Sequence, residues 1–290
     1  MKDLLKKIAF QKSLSFVFIL LVAMACHGSK NKSSKDKKDE ELKIITWNLY
    51  NFGRSKDDNE IDFIAEKMRD FDILAVQEVS KAPSGAQAVA RLADALNRKG
   101  AKWAYQTSEA TDGKGTERYA FLWKTSKVKL VGKLWLVSTL GDKIAREPCM
   151  ARFETKAKNQ LLLANFHAIP KSKHPENEVV LLKKLPEFYP NDKLIILGDF
   201  NLSQKHEAFD ELKNSNYTSS ISNQRTSLKM KVKDSIKLAQ EYDNIFFDRQ
   251  DLEFLESGVI HFYEDFKTLK EARKISDHIP VWVKISFNSL

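Results

Sequence analysis

The sequence predicts an α/β protein built from two packed β-sheets with helices on their outer faces. Three observations carry that prediction. Strand-like runs far outnumber helical stretches along the chain. Several of those runs follow one another with no helix between them, which argues against a single doubly wound sheet. Apolar runs such as Leu194-Ile195-Ile196-Leu197 and Ile279 to Ile285 read as buried strands.

Taken in order, the strand-like runs lie at 43–48, 72–77, 102–107, 118–123, 128–137, 150–155, 160–167, 193–199, 242–248, 258–263 and 279–286. Helical periodicity covers 58–69, 84–98, 175–188, 204–214 and 264–272. Asp57 or Asp58 suits the N-cap of the first helix and Ser84 that of the second, because their side-chain oxygens can accept from free backbone N–H groups. The stretch from Asn216 to Gln240 is polar and Lys-rich and fits neither pattern. No internal repeat interrupts the pattern, so 43–287 reads as one domain.

The chain has 290 residues, 42% hydrophobic and 30% charged, an ordinary globular composition with enough length for a sizeable core. Its formal net charge is +9. Residues 1–25 read as a signal peptide: Lys2, Lys6, Lys7 and Lys12 precede an apolar stretch, Leu14 to Ala25, too short for a stable membrane span. That segment holds four Lys and one Asp, so the chain without it keeps six of the nine net positive charges. The remaining excess suits a polyanionic partner. Ala23-Met24-Ala25 fits a cleavage site, and Cys26 follows directly, as in bacterial lipoproteins, where such a Cys is acylated. Ala23 stands where those proteins usually carry Leu. Both an anchored and a released form would leave the cytoplasm.

Residues 26–42 hold almost nothing apolar and read as a flexible tether. Cys26 and Cys149 are the two cysteines, and acylation of the first leaves the second alone. Cys149 reads as a small buried hydrophobe.

Polar side chains gather where the strand-like runs begin or end. They are Trp47-Asn48, Gln77-Glu78, Glu117-Arg118-Tyr119, Arg146-Glu147-Pro148, His167, Gly198-Asp199-Phe200-Asn201, Tyr242-Asp243-Asn244 and Ser276-Asp277-His278. Carboxylates, amides and imidazoles held by a rigid sheet are what metal-assisted phosphoryl transfer needs. Each alone has a plainer reading: a solvated strand end for Glu78, a turn for Asp199 and Asn201, a structural imidazole for either His. The alternation about Phe200 would point Asp199 and Asn201 to one side of a strand, with Phe200 in the core.

Those eight segments, in that order, resemble the endonuclease/exonuclease/phosphatase superfamily, and within it the deoxyribonuclease I branch. The resemblance spans roughly residues 43–286. It implies a four-layer α/β/β/α sandwich and hydrolysis of phosphodiester bonds in DNA by a monomer, with little sequence preference. It implies Glu78, Asn48 and Asp277 as metal ligands, for Mg²⁺ with Mn²⁺ or Ca²⁺ as alternatives. It pairs Glu117 with His167 and Asp243 with His278, leaving open which imidazole is the base. Asp199 and Asn201 join Asn48 in the catalytic set, with Asn201 donating to a phosphate oxygen.

Arg146 is expected to clamp phosphate, and Lys81, Lys114 and Arg118 to touch the DNA backbone. Ser80 and Gly115 stand where the branch has an Arg and a Tyr that read the minor groove. Leu238 stands near an expected Thr, and the branch's two disulfides have no counterpart. His27, His174, His206 and His261 take no role and are expected at the surface. Rival readings are a sphingomyelinase-like enzyme, an inositol-phosphate phosphatase, or a non-catalytic nucleic-acid binder. Glu117-Arg118-Tyr119 and Arg146-Glu147-Pro148 favour the nuclease.

Overall fold

A computed structural model describes residues 41–112, 116–231 and 235–287. The expected signal peptide, Cys26, His27, Lys114 and Gly115 lie outside the described residues. Among those described, one sheet runs in the order β12 (Leu252–Val259), β13 (Val281–Phe287), β1 (Leu42–Phe52), β2 (Ile73–Val79), β4 (Arg118–Lys124), β3 (Trp103–Thr107). The second runs β10 (Tyr217–Ser219), β11 (Asp243–Asp248), β9 (Leu194–Asp199), β8 (Gln160–His167), β7 (Cys149–Thr155), β5 (Val128–Leu130), and β6 (Trp135–Leu136) pairs with β7. Helices α1 (Asp58–Met68), α2 (Pro83–Asn97) and α6 (Leu269–Ile275) cover the first sheet. The short helices α3 (Glu176–Val179), α4 (Lys184–Phe188) and α5 (Asp210–Asn214) cover the second.

Three apolar clusters separate these four layers. Neighbouring residues on one strand enter different clusters: Ile45 and Trp47 pack under α1 and α2, whereas Ile44 faces the other sheet. Ile195 and Leu197 likewise face the first sheet, while Leu194 and Ile196 pack under the outer helices. A strand buried on both faces has no polar face to show, hence the unbroken apolar runs. The four-layer α/β/β/α sandwich is therefore the fold.

Several elements differ from expectation for local reasons. The run 128–137 is two strands, β5 and β6, separated by a turn in which Gly132 takes a φ of +77°. The strand expected at 258–263 begins earlier, at Leu252, and ends at Val259. A bulge between Phe254 and Glu256 breaks its alternation, and a 3₁₀ turn, Phe262–Asp265, follows. The last helix is Leu269–Ile275, capped by Thr268, whose side chain accepts from Glu271 N. Asp57 caps α1. Ser84 does not cap α2: Pro83 occupies the first helical position behind Ala82, which puts Ser84 inside the first turn.

Candidate active site

Strands β1 and β2 pair in parallel, as do β8 and β9. Each pair ends at the same edge of its sheet, where Asn48, Glu78, His167 and Asp199 stand. The antiparallel neighbours begin there, bringing Arg118 opposite Val79 and Asp243 opposite Asp199. Side chains more than two hundred residues apart thus meet because parallel ends and antiparallel beginnings share one rim.

Two imidazoles face each other across Asp199. His167 Nδ1 lies 2.9 Å from Glu117 Oε1, and His278 Nδ1 lies 2.7 Å from Asp243 Oδ2. Their Nε2 atoms lie 3.5 and 3.6 Å from Asp199 Oδ2. A carboxylate on Nδ1 fixes the tautomer that carries its proton there and frees Nε2 for chemistry. Burial opposes the charged form of both rings, yet Glu117 and Asp199 hold His167 above its ordinary value. Asp243, Asp199 and Asp277 likewise outweigh burial at His278 and hold it well above. Burial also lifts the Asp243 carboxyl, against the pull of His278.

Glu78 takes a left-handed backbone conformation, φ +59°, uncommon for a residue with a Cβ. Register shifts flank it on both sides, between Asn48 and Phe52 on β1 and between Val76 and Val79 against β4. Such bulges re-aim side chains at sheet ends. The Glu78 carboxylate accepts from Asn48 Nδ2 at 3.0 Å and from Asn51 N at 2.8 Å. Asn48 Nδ2 also reaches Asp199 Oδ2 at 3.1 Å, joining the two groups.

A divalent cation fits here on the chemistry of the donors. Asp277 Oδ1 is buried and has no hydrogen-bond partner, an orphaned oxygen that a hard cation would satisfy. The other two expected ligands, Glu78 and Asn48, would add oxygen donors, and Asn48 Oδ1 accepts from Tyr50 N at 3.0 Å. A second group of potential ligand atoms, on Asp199, Asp243 and His278, lies within 4.8 Å of one another. Two of its members are already bonded together.

The geometry changes the reading of other expected residues. Arg146 is buried and turned inward: Nε donates to His167 O at 2.9 Å, Nη2 to Ala168 O, and Nη1 lies 3.7 Å from Glu117. It braces the His167 pair, so its guanidinium is not a free phosphate clamp, although it borders the cleft. Arg118 is likewise committed, donating to Ser108 O at 2.7 Å. Asn201 is not on the strand. It follows β9 in a left-handed turn, φ +48°, with its N–H donating to Asp199 Oδ1 and its side chain to Ala168 O at 3.0 Å. Phe200 is fully buried. Gly198 is required here: its φ is +137°, and an added Cβ would lie 1.9 Å from Phe166 O.

His174 and His261 are exposed, and His206 is half-buried, its Nδ1 accepting from Ala208 N. Cys149 is buried, and burial drives its thiol well above its ordinary value.

Residues to which the sequence reading gave no role of their own support the site from behind. The threonine touching Asp243 is Thr226, not a residue near 238. Its Oγ1 accepts from Tyr242 N at 3.0 Å and Asp243 N at 2.9 Å. Leu238 instead packs against the cluster under α1 and α2. Ser276 accepts from His278 N, and Trp47 Nε1 donates to His278 O at 2.7 Å. Gln77 joins the sheets by donating to Thr46 and to Asn165 Oδ1 at 2.8 and 2.6 Å. Buried polar residues inside otherwise apolar strands were the available signal for Thr46, Gln77 and Asn165.

Four layers with this rim of paired carboxylates, imidazoles and amides define a class also seen in known proteins. The sequence model of the Endonuclease/Exonuclease/phosphatase family matches residues 45–278, and the chain belongs to that family. A deoxyribonuclease of Thioalkalivibrio sp. (strain K90mix) is 27% identical over 274 residues, covering 86% of this chain and 72% of that protein. A deoxyribonuclease-1-like 1 protein of Sus scrofa is 26% identical over 268 residues, covering 85% and 82%. Among solved structures, a family member from Bacteroides thetaiotaomicron superposes with a TM-score of 0.64 at 20% identity, covering 86% of this chain and 98% of that one. A mannosyl-6-phosphatase of the same species gives 0.62 at 22% identity, covering 85% and 100%. At these identities the superpositions speak to the fold.

Proposed function

We propose that this chain is an exported, divalent-metal-dependent phosphodiesterase that cleaves DNA with little sequence preference. The observation that carries the reading is the symmetric pair of carboxylate-held imidazoles whose Nε2 atoms both face Asp199. Hydrolysis of a phosphodiester needs a base for the attacking water and an acid for the leaving oxygen. One imidazole can take the proton from water as the new P–O bond forms. The other can give a proton to the sugar oxygen as the old bond breaks. Asp199 stands between them to orient the water. Asn201 keeps one amide hydrogen beyond its bond to Ala168 O, available to a phosphate oxygen.

Glu78, Asn48 and Asp277 would hold the metal, taken here as Mg²⁺ on the strength of their oxygen donors. When bound, the ion would neutralise charge on the phosphoryl oxygens. The two deoxyribonuclease relatives support DNA as the substrate, and the net positive charge suits it. Export rests on the N-terminal segment, with Cys26 as the acylation site of an anchored form.

Nicking of supercoiled plasmid, with and without chelator, tests the reading. Wild type is expected to nick only when metal is present. Glu78→Ala and His278→Ala should each lower the rate by about 10³-fold with the fold intact by circular dichroism. Undiminished nicking by both variants would sink the site assignment. Cleavage of sphingomyelin or inositol phosphates with plasmid untouched would replace the substrate.

A further inference from the structure

A cleft of about 490 Å³ opens beside the His167 half of the site, bordered by His167, Glu78 and Arg146. The chemistry above makes no use of its outer wall. Two loops build that wall: Gly53–Ser55 after β1, and Ser80–Ala82 between β2 and α2. Each loop carries one exposed cation, Arg54 and Lys81. Neither side chain has an ion pair or hydrogen bond among the described residues.

Four other arginines are already committed. Arg146 braces the His167 pair, and Arg118 holds Ser108 O. Arg91 pairs with Asp58, and Arg273 with Asp277. Arg54 and Lys81 are thus the cations of this cleft still able to receive an anion.

The two loops are also fixed to each other. A Cβ on Gly53 would lie 2.9 Å from Ser80 Cβ, and one on Gly85 would lie 1.9 Å from Ser80 O. Gly53 lets the two loops meet, where Ser80 N also donates to Phe52 O at 2.9 Å, and Gly85 lets the first turn of α2 close over Ser80. Ser80 keeps the floor open, and Ser84 adds a hydroxyl to the lining.

We infer that Arg54 and Lys81 seat a second phosphate of a polynucleotide, one neighbouring the phosphodiester under attack. This rests on the reading of the site as a phosphodiesterase. A small phosphate ester would engage the imidazoles and stop there. A nucleic-acid strand carries a charge every 3.4 Å of rise, so it must run on past the rim. The cleft is where a built, uncommitted pair of cations meets it. Substrates with flanking phosphates are therefore favoured over single diesters, and the preference resides in two loops outside the catalytic set.

The test compares full-length wild type with Arg54→Ala/Lys81→Ala, both loaded with Mg²⁺, on an oligonucleotide and on bis(p-nitrophenyl) phosphate. The double variant should lose about tenfold more kcat/KM on the oligonucleotide than on the small diester, chiefly through KM. Binding of a fluorescein-labelled oligonucleotide, read by anisotropy, should weaken too. Its dependence of log Kd on log salt should flatten by about 1.5. Arg54→Lys/Lys81→Arg should restore most of the binding. Equal losses on both substrates, or unchanged oligonucleotide binding and salt slope, would overturn the seat. Failure of wild type to hydrolyse either substrate would overturn the phosphodiesterase reading instead, with the anisotropy arm still deciding whether these cations hold a strand.

Discussion

The two halves of the site look like copies but are held differently. The His167 half has a cation inside it: Arg146 lies beside Glu117 and opposes charge on the imidazole. The charges that act most on the His278 ring are all acidic, Asp243, Asp199 and Asp277, and the ring stacks on Tyr242. Its hydrogen bond is the shorter, 2.7 against 2.9 Å. His278 is therefore the ring that keeps its proton to higher pH, and His167 the one more readily neutral. We propose from these surroundings that His278 serves as the acid and His167 as the base, the roles being set by one buried arginine rather than by the rings.

The largest expected effect follows from the leaving group. p-Nitrophenolate departs without a proton, whereas a sugar alkoxide needs one. His278→Ala should lose about 10³-fold on DNA but roughly tenfold or less on bis(p-nitrophenyl) phosphate. His167→Ala should lose comparably on both, because a base is needed in either case. Steady-state rates on the two substrates decide it, and the reverse pattern would exchange the roles.

A smaller effect should follow from taking the cation away. Arg146 holds the His167 imidazolium down, so Arg146→Met should raise its pKa. A base must be neutral to act, so the acidic limb of the kcat/KM profile should move to higher pH. The limb set by His278 should stay in place. A profile lowered uniformly, with no displacement, would make Arg146 a brace only.

Much of this was legible in the chain before any coordinates. The four layers follow from apolar runs that lack alternation, and the rim from polar residues at the ends of those runs. What the sequence could not display was direction. Arg146 lies in a segment that reads as a phosphate clamp, but its guanidinium turns toward two backbone carbonyls at the end of β8, those of His167 and Ala168. Asn201 reads as part of a strand until Gly198 and Asp199 bend the chain after β9. Glu78 owes its aim to bulges on two strands, and bulges leave no mark in composition. Thr226 was hidden in a Lys-rich stretch where it lies on no strand and is tied in by single bridges beside it, Ser227 to His278 and Leu228 to Leu238.

Thr226 offers the finest probe of the asymmetry, because it braces the His278 half where Arg146 braces the other. The residue is fully buried, and its Oγ1 accepts two consecutive backbone N–H groups that deliver Asp243 to the ring. Thr226→Val keeps the volume and removes the acceptor. Two buried donors would then lack a partner, a cost of about 2 kcal/mol that the urea midpoint should register. Asp243 would lose its fixed position, so kcat on DNA should fall by about tenfold with KM nearly unchanged. The deficit should shrink on bis(p-nitrophenyl) phosphate, since the brace serves the ring that supplies the leaving-group proton. Equal deficits on both substrates would mean that Thr226 supports the fold and not the acid, and that the two halves differ in charge alone.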